Sequence, residues 1–406
     1  MTNSRPKLIF LWNYVEWGGA QIYLLAIMKD AKADFDIVVI LPRDTMPDIL
    51  FFLDQLNIPH EFLNDSIDIS QAPGLAQKLK RQWRRIRAEY GSFKHLRKYD
   101  LSKSILHIDA PPWQSWILLT ALALRKAHVF TTMHNFMPRA SKLRELIWRI
   151  RLQFVSRLPS FHIFPSNHDT RNKLKGWVSD EFWREMDVTY TAVDPKEIEA
   201  ALTAPLDVAA VRKKFGLHPE KFIFLCVGQF VDRKGRWVFL DAASRVKKTD
   251  SDISFVWLTP QTPNSVDLAR IDSYELGDSF RLVLSESVGK SRNEVLSFFR
   301  VADGFALASF IEGLPIALLE AMALGLPSIS TNINAIPEAI KHLETGILIE
   351  AGDAAALAES FLLVKNDSAL REKLSKNGRD FVLKNFDERK VAQIAIDSYA
   401  RSLASR

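Results

Sequence analysis

The feature that most constrains the fold is a regular alternation of short apolar runs with longer stretches of helical spacing. In the first half, the runs with the length and composition of buried strands are 8–12, 37–41, 105–108, 129–133 and 161–164. Strands that alternate with helices predict a parallel sheet covered on both faces, because parallel neighbours are joined by long crossovers. The chain is therefore predicted to be an α/β protein.

Length and composition narrow the class of protein further. A chain of 406 residues is long enough for two or three domains with sizeable cores. Its one cysteine, Cys226, excludes an internal disulfide framework and lies in the apolar run FIFLCV, where we expect a core residue. No apolar run reaches about 18 residues, and the first, LIFLW, is too short for a signal peptide. These features predict a cytoplasmic protein without a membrane span.

Residues 309–338 carry the most informative pattern in the chain. Glu312 and Glu320 lie eight positions apart, Pro315 suits the first turn of a helix, and Gly325 suits its end. The free N–H groups of a helix start can bind an anion such as a diphosphate. Carboxylates there can accept hydrogen bonds from sugar hydroxyls and from a ribose diol. An ordinary helix start with two surface glutamates would show the same charges.

The sequence of this stretch resembles the donor-site signature of the family-4 retaining glycosyltransferases. It is SFIEGLPIALLEAMALGLPSISTNINAIPE. That signature has two glutamates separated by seven residues and followed by A-M-A-x-G-x-P, and TGILIEAGDAAALAE at 345–359 resembles a later segment of the same family. The resemblance implies the GT-B fold, in which two Rossmann-like domains face each other across a cleft. It implies an acceptor-binding domain at 1–194, a nucleotide-sugar domain at 195–386, and a helix at 387–406 that crosses back to the first domain.

The resemblance also implies a donor site. Lys234 matches the lysine that clamps the donor diphosphate, whereas Gln229 replaces the arginine of that motif, and the neighbouring Arg233 is a candidate substitute. A cation here could neutralise a leaving diphosphate. The segment 255–263 lacks the G-x-G of the family. The full set of expected donor-binding residues is Gly18, Gly19, Gln229, Arg233, Lys234, Gly313, Leu314, Pro315 and Glu320.

The expected catalytic residues are Glu312, Lys234 and His134. His134 matches the T-x-H position of the family, where the imidazole borders the transferred sugar. His107 and Asp109 follow an earlier strand and are candidates for the acceptor side, because ligands of parallel sheets bind at the carboxyl ends of strands. A histidine at a strand end is also common as a purely structural residue.

A basic stretch sets the first half apart. Residues 78–98 hold nine lysines or arginines against one acid, Glu89, with apolar residues at helical spacing. Such a helix is typical of an anionic membrane surface, although a core helix with a solvated basic face has the same pattern. Gly91 also fits two shorter helices, and 139–157 adds further cations. The predicted membrane-surface patch comprises Lys80, Arg81, Trp83, Arg84, Arg85 and Arg87.

The resemblance predicts a retaining hexosyl-type glycosyltransferase that takes a UDP- or GDP-linked sugar to a glycan or lipid-linked acceptor in polysaccharide assembly. We expect no metal, because no Asp-x-Asp pair follows a predicted strand, and no nucleic-acid partner, because the basic stretch has no associated motif. The expected location is the cytoplasm, peripheral on the inner face of the membrane. The competing hypothesis is a catalytically weakened scaffold of the same fold, favoured by Gln229, Ala192 and the missing G-x-G.

Overall fold

The structure is a computed structural model and describes residues 5–12, 18–64, 75–138 and 140–405. The side chains of 75–79 and of Arg81 also lie outside the described part. The chain divides into two compact units. The first comprises residues 1–190 and 389–406, and the second comprises residues 191–388. Asp194, the predicted boundary, caps the first helix of the second unit through a hydrogen bond from the Lys196 N–H.

The first unit alternates strands and helices along the described chain. Its strands are β1 Lys7–Trp12, β2 Asp36–Leu41, β3 His60–Phe62, β4 Ser104–Asp109, β5 His128–Met133 and β6 Phe161–Pro165. Its helices are α1 Gly19–Ala31, α2 Pro47–Gln55, α3 Leu75–Leu96, α4 Trp116–Ala123, α5 Lys142–Val155, α6 His168–Lys173 and α7 Asp180–Arg184. The strands pair in parallel in the order β3-β2-β1-β4-β5-β6.

The five predicted strands of this sheet are confirmed, and the sequence missed β3. Strands β1, β2, β4 and β5 are almost wholly buried because both faces of the sheet are covered, which is why they appear in the sequence as continuous apolar runs. By contrast, β3 is three residues long at the sheet edge and contains His60 and Glu61. A strand so short and polar gives no hydrophobic signal.

The basic stretch forms one continuous helix, α3, rather than two. Gly91 lies within it and does not break it. The side chains of Ser92 and Leu96 are buried, whereas Trp83 and Tyr90 are 73% and 68% exposed. The apolar residues of α3 therefore do not all face the core, so the interpretation of this stretch as a core helix does not hold for Trp83 and Tyr90.

The second unit repeats the alternation. Its strands are β7 Phe222–Val227, β8 Ile253–Thr259, β9 Phe280–Leu284, β10 Gly304–Leu307, β11 Ser328–Thr331 and β12 Ile347–Ile349. Its helices are α8 Pro195–Thr203, α9 Val208–Lys214, α10 Arg236–Thr249, α11 Ser265–Asp272, α12 Ser285–Val288, α13 Arg292–Phe298, α14 Ile316–Ala323, α15 Ile336–Ala339, α16 Ala354–Asn366 and α17 Ser368–Asn385. Short 3-10 turns across the chain are Leu101–Lys103, Asp232–Lys234, Gly277–Ser279 and Phe299–Val301.

The two sheets share one topology. The second sheet has the order β12-β11-β10-β7-β8-β9, all parallel, and this matches the first sheet strand for strand. In each sheet the strand order reverses between the first and fourth strands, and ligands of such sheets bind at that point, beyond the carboxyl ends. Cys226 of β7 is fully buried, which confirms it as a core residue.

The last helix, α18 Glu388–Ala404, belongs almost entirely to the first unit. Tyr399 is fully buried, and its hydroxyl lies 2.5 Å from Nδ1 of His107. The Ser402 hydroxyl lies 2.8 Å from Nδ1 of His128 and 3.0 Å from Nε2 of His162. Three strand histidines thus hold the closing helix by hydrogen bonds. Across the described ranges, no helix is both long and apolar enough to cross a membrane.

Candidate active site

The site of the second unit is built where its strand order reverses, at the ends of β7 and β10. Gly228 follows β7 with φ at +147°, and Gly235 ends the 3-10 turn Asp232–Lys234 with φ at +71°. A Cβ on Gly235 would lie 1.8 Å from the carbonyl oxygen of Ala308, just beyond β10. Only glycine lets the turn approach β10 so closely, and this approach brings Lys234 to the end of the neighbouring strand.

Lys234 and Glu312 form the central contact of this site. Lys234 Nζ lies 2.5 Å from Glu312 Oε1, and both side chains are almost buried. The Ser309 hydroxyl donates a hydrogen bond to the same carboxylate oxygen at 2.8 Å, and the Glu312 N–H donates to Asn334 Oδ1 at 3.4 Å. The fold therefore brings together two residues that lie 78 positions apart in the sequence.

Gln229 and Arg233 form a second contact beside this pair. Arg233 Nη2 donates a hydrogen bond to Gln229 Oε1 at 3.0 Å, and the Arg233 carbonyl accepts one from the Phe310 N–H at 2.8 Å. The partner of the guanidinium in this contact is a neutral amide, so the contact leaves the positive charge of Arg233 uncompensated. The glutamine that departs from the family pattern is thus in contact with the nearest arginine.

The loop after β10 leads into α14. Leu314 and Pro315 are buried, whereas Gly313 is partly exposed. Pro315 is the residue before the helix rather than part of its first turn, with ψ at 120°, and its carbonyl accepts a hydrogen bond from the Leu318 N–H. The prediction was one residue out because an extended proline also suits the position before a helix. The first N–H groups of α14 have no acceptor within the helix, as at any helix start.

Glu320 is 4% exposed and is held by an arginine that the sequence did not single out. Arg292 Nη2 donates to Glu320 Oε1 at 2.7 Å, and Arg292 Nε donates to Glu197 Oε2 at 3.1 Å. Burial raises the pKa of Glu320, and the neighbouring guanidinium opposes that rise. The ion pair orients one carboxylate oxygen and leaves the second available for a ligand within the described contacts.

In the first unit, Gly18 and Gly19 are placed at the start of α1, and residues 13–17 of the expected glycine-rich loop lie outside the described part of the chain. His134 directly follows β5 and packs edge-on against Tyr23, with ring centroids 5.1 Å apart. Its Nε2 is buried and has no hydrogen-bond partner among the described residues. Burial lowers the pKa of His134 to about 4, so the imidazole is neutral at pH 7.

His107 and Asp109 both lie in β4, but only the His107 side chain has hydrogen-bond partners for all its polar atoms among the described residues. Both ring nitrogens of His107 are occupied, by Tyr399 and by the Thr132 hydroxyl at 2.8 Å, so the expectation of an acceptor-side His107 is wrong. It is a packing residue of this unit. Asp109 ends the strand, and its Oδ2 is buried without a partner in the described part of the chain. Burial raises the pKa of Asp109 to about 8.

The expected membrane-surface patch maps onto α3. Lys80, Trp83, Arg84 and Arg87 are exposed, and the side chain of Arg81 lies outside the described residues. Arg85 is only partly exposed, because it donates to Gln114 Oε1 at 3.4 Å and lies 3.8 Å from Glu89. Among the described residues, no three His, Cys, Asp or Glu side chains lie together in a way that could hold a metal ion.

The two units, each with a parallel sheet of the same order, define the GT-B fold class. A solved structure, HepE of Anabaena in complex with UDP and glucose, has the same fold with a TM-score of 0.77. It is 16% identical in sequence and covers 98% of this chain and 100% of that chain, so it shows the fold alone. The predicted fold class is confirmed.

The second unit also resembles a family of known proteins. Residues 207–381 match the model of the family described as glycosyl transferases group 1, the family that the sequence resemblance named. The chain is 28% identical over 218 residues to a D-inositol 3-phosphate glycosyltransferase of Pseudarthrobacter chlorophenolicus, covering 52% of this chain and 50% of the relative.

A second relative extends further along the chain. It is the Escherichia coli UDP-Gal:alpha-D-GlcNAc-diphosphoundecaprenol alpha-1,3-galactosyltransferase, 27% identical over 265 residues, or 64% of this chain and 65% of that one. The chain thus spans about half to two thirds of the length of these relatives.

Sequence reasoning missed Ser309, Asn334, Arg292 and Glu197. Ser309 and Asn334 flank the glutamate signature, and their polar side chains beside two strand ends were a usable signal. Arg292 and Glu197 gave no signal in the sequence, because they lie 28 and 123 positions from Glu320. Only the folded chain brings these three residues together.

Proposed function

We propose that this protein is a retaining glycosyltransferase that transfers a hexosyl group from a UDP- or GDP-linked sugar to a glycan or lipid-linked acceptor. The observation that carries the proposal is the buried pair of Lys234 and Glu312 at the point where the strand order reverses, in a unit that matches the glycosyl transferases group 1 family. The relatives support the class of reaction, because their names describe sugar transfer to an inositol phosphate and to a GlcNAc linked to a lipid diphosphate.

In this proposal the diphosphate of the donor binds beside Lys234 and Arg233 at the start of α14. Lys234 is already paired with a carboxylate, whereas the contact of Arg233 with Gln229 leaves its charge uncompensated. Arg233 therefore supplies the additional positive charge, and the helix dipole adds about half a unit charge. Glu320, held by Arg292, binds the ribose, and Glu312 accepts hydrogen bonds from the sugar.

The proposed step breaks the bond between the anomeric carbon and the diphosphate oxygen and forms a bond to the acceptor oxygen on the same face. The acceptor proton passes to the departing phosphate oxygen, so no covalent nucleophile is needed. The cations of Lys234 and Arg233 stabilise the charge that develops on that oxygen. In this scheme they take the place of a metal ion, and we propose that the reaction is independent of metals.

The first unit supplies the acceptor side in this proposal. His134 and Asp109 each present a buried polar atom without a partner among the described residues, at the carboxyl ends of neighbouring strands. An unsatisfied buried group is costly, and a sugar hydroxyl would satisfy either of them. Neutral His134 could then serve as donor or acceptor of a hydrogen bond.

Incubation of the chain with candidate donors and simple glycan acceptors tests the proposal, with the anomeric configuration of the product read by nuclear magnetic resonance. Retention, turnover that persists in excess EDTA, and loss of turnover in Lys234→Ala are expected. Inversion would contradict the mechanism, and dependence on an added divalent cation would contradict the metal-free scheme.

The competing proposal is a scaffold that has lost turnover through Gln229. It predicts that Gln229→Arg gains turnover that the parent lacks. Robust turnover by the parent would contradict the scaffold proposal. The contact of Arg233 with Gln229 favours the enzyme, because it places a guanidinium beside Gln229.

A further inference from the structure

Helix α5 of the first unit carries its apolar residues on the outside. Leu143, Ile147, Ile150 and Phe154 recur at spacings of four, three and four, which places them on one stripe of the helix, with Leu146 beside it. Their exposed fractions run from 39% to 68%. The buried residues, Leu152 and Val155, point the other way. A helix on the surface of a soluble domain normally turns such a stripe inward.

Cations flank the outward stripe on both sides. On a helix of 3.6 residues per turn, Lys142 and Arg149 fall on one side of the stripe, and Arg144 and Arg151 fall on the other. Between residues 142 and 157 there are five lysines or arginines and one acid, Glu145. Arg144 also lies over the ring of Trp148, a residue type that favours the boundary between apolar and aqueous phases.

The neighbouring helices extend the same character. Both α3 and α5 pack against α4. Helix α4 exposes Ile117, followed by exposed Leu124, and α3 exposes Trp83, Ile86 and Tyr90. The ring of Trp116 on α4 meets that of Phe154 on α5 at 6.1 Å. We call the exposed residues of α3, α4 and α5 the apolar-basic face.

The geometry points to an anionic lipid bilayer as the occupant of the apolar-basic face. We propose that the α5 stripe inserts among the acyl chains while the flanking cations remain at the headgroups. An apolar stripe bordered by lysine and arginine is the pattern of helices that lie in the membrane interface. Charge argues against a second copy of this chain, because an isologous contact would bring the same cations against each other.

This inference is independent of the sugar-transfer proposal. It also extends the sequence-based expectation, which placed the membrane patch on 80–87 and added the cations and Trp148 of 139–157 but no outward apolar stripe. The outward direction of the α5 stripe is visible only in the folded unit, where Leu152 and Val155 fix which side of the helix faces the core.

Co-sedimentation of the full chain with vesicles tests the inference. Vesicles of phosphatidylcholine with phosphatidylglycerol should bind the parent, and vesicles of phosphatidylcholine alone should bind it at least about tenfold more weakly. Leu143→Gln/Ile150→Gln should reduce binding to the anionic vesicles at least about tenfold, because each buried aliphatic side chain contributes about tenfold to partitioning. The matched control is Val266→Gln/Leu268→Gln on α11 of the second unit, where both side chains are exposed, and it should bind as the parent does.

Variants that remove charge distinguish an anionic lipid surface from other apolar partners. Lys142→Gln/Arg144→Gln should weaken binding about fivefold per charge and flatten its salt dependence, whereas Lys373→Gln/Lys376→Gln on α17 should not. Circular dichroism and nucleotide binding, which report folding and the donor site separately, should be unchanged in every variant. Failure of the parent to bind anionic vesicles, or equal binding by the α5 variant, would overturn the inference. So would a dimer without vesicles that the α5 variant converts to monomer.

Discussion

Replacing Arg233 by alanine is expected to weaken binding of UDP or GDP about 10- to 150-fold. The structure gives the reason, since the Lys234 charge is matched by Glu312 at 2.5 Å, whereas the described contact of Arg233 is with the neutral amide of Gln229. Arg233 is thus the residue whose charge is available to a diphosphate. A hydrogen bond to a charged group contributes about 1.5–3 kcal/mol, which corresponds to about 10- to 150-fold in the dissociation constant.

Titration calorimetry at one fixed ionic strength would measure the effect. Arg245→Ala is the matched control, because Arg245 is exposed on α10, the helix that follows the turn of Arg233, about 14 Å along its axis from the first residue, Arg236. The double variant Gln229→Arg/Arg233→Ala should recover most of the affinity, since it returns a guanidinium from the end of β7. Equal affinities for the parent and Arg233→Ala, or an equal loss in Arg245→Ala, would refute the reasoning.

Three further outcomes are expected. Glu320→Ala should weaken UDP binding about tenfold yet leave inorganic pyrophosphate, which has no ribose, unaffected in calorimetry; an equal loss for both ligands would contradict the ribose assignment. Burial lowers the pKa of His107 to about 3 and of His134 and His162 to about 4, so each of these histidines should cost stability as pH falls from 6.5 towards 4 and the unfolded chain takes up protons, by up to about 1.4 kcal/mol per pH unit. Burial raises the pKa of Asp109 to about 8, which should offset about one histidine over the same range, so urea midpoints should still fall, and flat midpoints would contradict the prediction. Gly235→Ala should destabilise the second unit by more than about 2 kcal/mol, whereas Gly277→Ala, also at positive φ but in open space, should cost about 1 kcal/mol; equal thermal shifts would show that the close approach of the turn is unimportant.

The fold could be predicted because its strands are buried on both faces. Runs such as FIFLCV are continuous and apolar, and the helices between them leave few topologies open. The edge strand β3 escaped prediction because burial, not local propensity, makes a strand visible in a sequence, and β3 is hardly buried. The continuity of α3 through Gly91 was also unpredictable, since one glycine in a long helix costs only about 1 kcal/mol.

The candidate site could be predicted only where its residues are close in sequence or belong to a recognisable motif. Glu312, Glu320 and Lys234 were found in this way, and the structure adds what each one contacts. The contacts of Arg292 with Glu320 and of Gln229 with Arg233 depend on side-chain direction, which no spacing rule gives. His107 shows the converse, because a strand-end histidine was expected to meet a ligand and instead supports α18.

The most direct test of the central claim is a thermal-shift panel with UDP, GDP, ADP and their common sugars, on the parent, Lys234→Ala and Glu320→Ala. A ligand at about 100 times its dissociation constant adds about 2.7 kcal/mol of stability, which is readily measured. The account predicts that one uridine or guanosine ligand stabilises the parent and that both variants lose most of the shift. No shift with any nucleotide, or the same shift in the parent and both variants, would contradict a donor site at the ends of β7 and β10.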